Sequence, residues 1–271
     1  MSTLIANPIV TALPWAGGKK KLLKKYEPLL PEADTLTDLF SGSGVVVANL
    51  NYKNRVANDI NSELQNAFRQ LQNNRVEVLS HYKDLSDKFL KSDDPKGYYQ
   101  KLLKEYAVNY EDHSPSWEAA ALFLLTQSNF GGIWTTTKWS NGRYATPFGI
   151  RKSAKTHGIQ RLADFADAIK GVKFTSTDWN LVPFEGFVLA DPPYRSTYGN
   201  PVDYKSGGVD HDQLADRLKA HGLFGYCATD LGDGWLQDTF AGYEIHEFPY
   251  THTAKRAGAD KVIEVLVIGR G

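Results

Sequence analysis

The sequence contains one cysteine, Cys227. A lone thiol excludes a disulfide framework and a cysteine-rich zinc site. The seven histidines are scattered without ligand spacing, so no metal is expected and a Cys/His zinc deaminase is excluded. Long apolar runs are missing too. The longest, Ala119 to Leu125, is too short to cross a bilayer, so no membrane partner is expected. Met1 to Pro14 has neither a basic start nor a long apolar stretch, and no secretory signal is expected. Neither a Walker motif nor GxGxxG is present, which disfavours ATP. Hydrophobic residues at 42% and charged residues at 23% exclude disorder and collagen-like structure. The 271 residues suit one large domain, or one domain carrying an insert.

Net charge is also absent, with 31 Lys+Arg against 31 Asp+Glu. That balance argues against non-specific nucleic-acid binding, but the distribution argues for contact. From Ala119 to Ala163 there is no acid, where an even spread would place about five. The same stretch holds Lys138, Arg143, Arg151, Lys152, Lys155 and Arg161. Two more basic clusters are Lys19 to Lys25 and Lys255, Arg256 and Lys261. Each cluster alone reads equally as a solvated face. An acid-free basic stretch rich in Thr, Ser, Asn and Trp better suits phosphates and bases.

Strand signals occur at Thr35 to Phe40, Arg55 to Asp59, Val172 to Ser176 and Phe187 to Ala190. Three more occur at Leu223 to Ala228, Tyr243 to Phe248 and Val262 to Ile268. Residues 62 to 128 carry helical spacing, broken at Asp93-Asp94-Pro95 and Ser114-Pro115, both suited to start helices. Phe130 to Gly149 reads as loops or a hairpin, while Ile159 to Ile169 and Asp210 to His221 read as helices. The alternation predicts an α/β fold, a mostly parallel sheet covered by helices. Ligands in such sheets bind at the carboxyl ends of strands, where Asp38, Ser41, Asp59 and Asp191 all fall.

Three segments carry chemistry. Asp38 to Gly44 (DLFSGSG) follows a strand, and its glycines permit close backbone approach to a ligand; alone, it is as well read as an ordinary turn. Asp59, about twenty residues on, is an acid suited to both hydroxyls of a ribose. Asp191-Pro192-Pro193-Tyr194 makes a stiff turn whose carbonyls and carboxylate sit beside a flat ring. Acceptors next to a stacking face suit the exocyclic amine of a planar base. Cys227 lies in a strand and reads as core packing rather than the nucleophile of cytosine carbon-5 chemistry. His211 and His221 bracket a helix and read as surface residues. Trp134 and Trp139 read either as core of the insert or as a wedge filling the gap of a flipped base.

These segments resemble the Dam-like (D12 class, alpha group) DNA adenine-N6 methyltransferases. Asp191 to Tyr194 resembles their catalytic DPPY, and Phe40, Gly42 and Gly44 match FxGxG. Pro14 to Lys19 resembles WAGGK, Ala57 to Asn61 the ADIN segment, and Tyr144 to Gly149 the TTPFG that closes their recognition region. Gly258 to Val262 resembles their carboxy-terminal segment. The match is in order and covers nearly the whole chain.

The resemblance implies a Rossmann-like class I S-adenosylmethionine-dependent methyltransferase sheet. Residues 1–61 and 171–271 would form the catalytic domain. Residues 62–170 would form an inserted, mainly helical DNA target-recognition domain. It further implies S-adenosyl-L-methionine bound by Trp15, Lys19, Asp38, Phe40, Ser41, Gly42, Gly44, Asp59, Ile60 and Asp191, with Asp178-Trp179 near the adenine. Asp191, Pro192, Pro193 and Tyr194 would be catalytic. Asn129, Trp134, Lys138, Arg143, Pro147, Arg151 and Lys152 would meet double-stranded DNA. The chain would act as a monomer in the cytoplasm of a bacterium or a phage-infected cell, without a metal. Where the family has an Arg-Tyr-Gly-Tyr-Asn-Gly type of run, this chain has Asn129-Phe130-Gly131-Gly132-Ile133-Trp134. Lys138 and Arg143 are candidates for the arginine that reads guanine, and GATC is the default site. A catalytically silent DNA-binding module and an RNA adenine methylase are the alternatives.

Overall fold

The computed structural model describes residues 10–15, 19–130, 132–149, 158–193, 195, 208–251 and 261–271, with only the backbone at 250–251 and 261–262. The described strands are β1 (Thr35–Asp38), β2 (Asn54–Asn58), β3 (Val172–Thr175), β4 (Phe187–Ala190), β5 (Leu223–Asp230), β6 (Glu244–Thr251) and β7 (Lys261–Arg270). They form one sheet in the order β3-β2-β1-β4-β5-β7-β6. The first five pair parallel; β7 runs antiparallel between β5 and β6. Each strand signal in the sequence corresponds to one of these strands, with ends shifted by at most three residues.

The helices are α1 (Leu23–Tyr26), α2 (Val45–Asn49), α3 (Ser62–Asn73), α4 (Arg75–Lys91), α5 (Pro95–Val108), α6 (Pro115–Ser128), α7 (Gly158–Ala168), α8 (His211–His221) and α9 (Trp235–Thr239). Both expected breaks start helices through side-chain caps. Asp94 accepts from the Gly97 N–H and Ser114 from the Trp117 N–H. Helix α6 is apolar all round because it lies inside the helical layer, buried from Ala119 to Ser128.

The described part of residues 62–170 shares its core with the sheet. Their buried side chains, among them Tyr82, Tyr99 and Phe123, join Leu36, Ala57 and Phe174 of the sheet in one cluster. Helices α3 and α7 meet β3 and α2 through Phe68, whose ring lies 5.3 Å from Phe165 and 5.6 Å from Phe174. A second cluster covers the other face, built from Val188, Tyr226, Leu214, Leu218 and Phe240.

The strand order reverses at β1, which pairs β2 on one side and β4 on the other. Register then fixes the site. Asp38 aligns with Ala57 and with Leu189. Asp59 and Asp191 each stand two residues beyond those partners, at the same level. With strands about 4.8 Å apart, three carboxylates gather within about 10 Å at one sheet edge.

Candidate active site

Three acids at one edge are costly to bury, and each is treated differently. Asp59 is held by backbone: its carboxylate accepts from the Gly42 N–H and the Asn61 N–H, both at 2.9 Å. Burial pushes its carboxyl up from the ordinary range and those two N–H groups pull it back. Asp191 is 22% exposed, and Lys19 Nζ lies 2.8 Å from its Oδ1. Burial raises its pKa and Lys19 opposes the rise. Asp38 is 1% exposed, and its Oδ2 has no hydrogen-bond partner among the described residues. Burial pushes its carboxyl well above the carboxylate range, and the charges of Asp191 and Asp59 add to the push.

The glycine turn fits between these groups. Gly42 and Gly44 have φ of +45° and +68°, a region that favours glycine. A Cβ on Gly42 would lie 2.8 Å from Trp15 Nε1, so the indole is packed directly on the turn. Ser41 is tied into the frame by its N–H to Asn58 O and by its hydroxyl, which accepts from Gln65 at 2.9 Å. Asn58, buried, donates to the Leu39 and Thr177 carbonyls and accepts from Thr175 and Thr177, locking the ends of β1, β2 and β3 together. Ile60 is left 43% exposed beside Asp59. Trp179 comes to 6.5 Å from Phe40, and Asp178 caps the short turn that carries it. The expected cofactor residues thus converge on one end of the sheet. Of the turn expected to be catalytic, Asp191, Pro192 and Pro193 are described; Tyr194 lies outside the described residues.

The expected DNA contacts divide. Asn129 is buried, donating to Ile133 O and Tyr144 Oη and accepting from the Gly132 N–H. It holds its loop together instead of facing a groove. Trp134 is buried between Trp15, at 6.0 Å, and Tyr144, at 4.8 Å. Of its two readings, core is the one its burial supports. Arg143 is turned inward: it pairs with Glu118 at 2.7 Å and lies over the rings of Tyr106 and Tyr110. Asn129 and Arg143 find polar partners inside the protein and Trp134 packs between two rings, while Trp134 Nε1 and Arg143 Nε have no hydrogen-bond partner among the described residues. Lys138, Trp139 and Pro147 are exposed on the same loop, as is Phe130. Arg151 and Lys152 lie outside the described residues.

Glu264 of β7 was not among the expected site residues. It is 2% exposed, accepts from Thr229 at 3.1 Å and has its Oε2 3.6 Å from Lys19 Nζ. Its signal is legible: it is the one charged residue from Val262 to Ile268, and a buried acid needs a cation. Cys227 is buried beneath this cluster, where burial pushes its thiol well up; it is no thiolate nucleophile. His211 and His221 are half-buried rather than on the surface, bonded to Tyr226 Oη and Gly186 O, both at 2.7 Å. Among the described residues no group of three potential ligands could hold a metal, and no helix is long and apolar enough to cross a membrane.

A family model described as D12 class N6 adenine-specific DNA methyltransferase matches residues 15–221. The type II methyltransferase M.MjaIII of Methanocaldococcus jannaschii is 27% identical over 224 residues, covering 75% of this chain and 77% of its own. The type II methyltransferase M1.LlaDCHI of Lactococcus lactis is 25% identical, covering 95% and 94%. A DNA adenine methylase of Vibrio cholerae is 26% identical over 94% of both chains.

Proposed function

The chain belongs to the D12 class N6 adenine-specific DNA methyltransferase family, and from that premise we propose that it moves a methyl group from S-adenosylmethionine to the N6 amine of adenine flipped out of a short duplex site, GATC by default. The carrying observation is the Lys19–Asp191 ion pair at the strand-order reversal, beside Asp38 and Asp59.

The described residues fit the cofactor. Asp59 has its carboxylate oriented by two N–H groups and keeps lone pairs for the ribose hydroxyls. Ile60 offers an exposed apolar face to an adenine ring. Asp38 presents a buried oxygen without a hydrogen-bond partner among the described residues, suited to a cationic group. Trp15 and Gly42 leave no space between them for a side chain. S-adenosylmethionine, when bound, supplies an electrophilic methyl on sulfur.

The chain's own residues must activate a poor nucleophile, because the adenine amine delocalises its lone pair into the ring. Flipping the base costs a few kcal/mol, and stacking on Tyr194 would offset about 1–3 kcal/mol of that. Asp191 and the Pro192 carbonyl accept the two N–H bonds of the amine, which localises the lone pair on nitrogen. Lys19 opposes the rise that burial gives the Asp191 carboxyl and so favours its charged, accepting form. The amine proton leaves after transfer. Positioning and fixed charge supply most of the rate. Residues 62–170 serve target recognition, with Lys138, Trp139, Pro147, Arg151 and Lys152 toward the duplex.

The test is expression in a host without adenine methylation, followed by modified-base sequencing, with Asp191→Ala alongside. Methyladenine in one sequence context, absent from the variant, is the expected result. Unmarked DNA from folded, cofactor-binding protein refutes the reading and leaves a silent binding module or an RNA substrate.

A further inference from the structure

The loop 132–149 is fastened to the helix that follows Asp59. Asp59 Oδ1 accepts from the Asn61 N–H at 2.9 Å, and Asn61 in turn caps α3, accepting from the Leu64 N–H at 3.1 Å. Glu63 stands in that first turn of α3, half-buried. One of its oxygens, Oε2, accepts twice: from Tyr106 Oη of α5 at 2.8 Å and from the Tyr144 backbone N–H at 3.1 Å. Tyr106 is 2% exposed, so its hydroxyl depends on this acceptor in place of water. A single carboxylate therefore joins α3, α5 and the loop.

Tyr144 anchors the loop. Its ring is fully buried, 4.8 Å from Trp134, and its hydroxyl accepts from Asn129 at 2.8 Å. The side chain thus ties the loop to itself, while the backbone N–H ties it to Glu63. The preceding residue, Arg143, accepts at its carbonyl from Ser140 Oγ at 2.7 Å and donates its N–H to the Ser140 carbonyl at 2.8 Å. Ser140 ends the short helical turn Lys138–Ser140, which carries the exposed Lys138 and Trp139. Arg143 and Glu118 hold this segment to α6. Glu63 holds it to α3, the helix that leaves the sheet just after Asp59. Through Tyr144, Glu63 fixes where Lys138 and Trp139 stand relative to the strand ends.

We propose that Glu63 is a positioning residue for target specificity, a tie that registers the loop bearing Lys138 and Trp139 against the sheet edge that carries Asp59 and Asp191. It contacts neither cofactor nor base and acts through the Tyr144 backbone. The proposal rests on the reading of that loop as a face that meets duplex DNA.

Glu63→Ala, Glu63→Asp and the conservative Glu63→Gln test it. Two duplexes are compared: one carries the context that modified-base sequencing finds, the other has one base pair of that context exchanged. In Glu63→Ala the KM for the first duplex should rise about tenfold with kcat within about twofold. The ratio of kcat/KM between the two duplexes should fall about tenfold. The Kd for S-adenosylmethionine should stay within about twofold. Glu63→Gln keeps an oxygen that can accept both bonds and should restore most of the KM and the ratio. Hydrogen–deuterium exchange of the Tyr144 amide, measured without cofactor or DNA, should quicken in Glu63→Ala and stay slow in Glu63→Gln. An unchanged ratio overturns the proposal, as does unchanged exchange, or a Glu63→Gln protein as impaired as Glu63→Ala. If Glu63→Ala does not fold, Glu63→Asp decides, because its carboxylate is one methylene short of both donors: an unchanged ratio there overturns it. Should the unaltered chain methylate no adenine, the functional reading fails and takes the specificity role with it. Methylation with an unchanged ratio sinks the role of Glu63 alone.

Discussion

Replacing Gly42 by alanine strains the glycine turn in two separable ways. The backbone there has φ +45°, where an L side chain costs about 1–2 kcal/mol. The new Cβ would lie 2.8 Å from Trp15 Nε1, so the indole must move off the turn and off Trp134, 6.0 Å away. Displacing a packed side chain adds about 1–3 kcal/mol. If about 2 kcal/mol of this is felt at the turn, S-adenosylmethionine binds about thirtyfold more weakly. Gly171→Ala is the control, because Gly171 has φ +75° and nothing within 4 Å of its added Cβ. It carries only the backbone cost, about 1 kcal/mol of stability and about 2 °C of Tm, with affinity unchanged. Calorimetric titration with cofactor and urea unfolding give the two quantities. Adding Trp15→Ala to Gly42→Ala removes the obstacle, so the two stability losses should fall short of additive by about 1 kcal/mol. Gly42→Ala that binds normally and loses no more stability than Gly171→Ala refutes the packing of Trp15 on the turn.

Arg143→Ala should lose about 3 kcal/mol in urea unfolding, because Arg143 and Glu118 keep only 17% and 20% of their side-chain surface. It should leave the salt dependence of DNA binding unchanged, whereas Lys138→Ala should lower that slope by about 0.9 with normal stability; the opposite pattern refutes the inward placement. Asp38 binds its proton more tightly folded than unfolded, so its contribution is present in acid and is lost as pH rises through its raised pKa. Asp38→Asn removes that loss. Urea midpoints of the two proteins should therefore diverge from about pH 5 to about pH 8 in favour of the variant, and a gap that narrows refutes the burial of an unpaired acid. Glu264→Gln removes a charge that raises the pKa of Asp191. The acidic limb of its pH–rate profile should move to lower pH, and a shift upward counts against the Lys19–Asp191–Glu264 cluster.

The sheet was legible because two signals agreed. Apolar runs ended in Asp38, Asp59 and Asp191, and alternation with helices demanded a parallel sheet whose strand ends lie together. Asp94 and Ser114 announced their helices by sitting before Pro95 and Pro115. The recognition loop was less legible. An acid-free window marked Arg143 as a DNA contact, yet the acid that binds it, Glu118, stands one residue outside that window. Composition along the chain carries no information about pairing across it. The burial of Asn129 and Trp134 was not legible for the same reason. A polar or amphipathic side chain in a basic loop can turn inward whenever the loop closes on itself, as the pairing of Asn129 with Phe148 makes it do.

The acids also show why strand ends alone do not make a catalytic site. Register would deliver three carboxylates here whatever the ligand, and burial would neutralise all three. What separates their roles is the partner each one finds. Asp59 has two N–H groups and becomes an oriented acceptor. Asp191 has Lys19, from near the start of the chain, which opposes the effect of burial and favours its charged form. Asp38 has no hydrogen-bond partner for its Oδ2 among the described residues, and burial favours its neutral form. It is the acid that an arriving cationic group would return to charge. The amino-terminal Trp15 and Lys19 therefore do what the strands cannot: the indole packs on the turn and the ammonium opposes the effect of burial on Asp191. That division explains why motifs from the two ends of the chain belong to one site. It also explains why the loss of Lys19 would leave the sheet intact while disarming the turn at its centre.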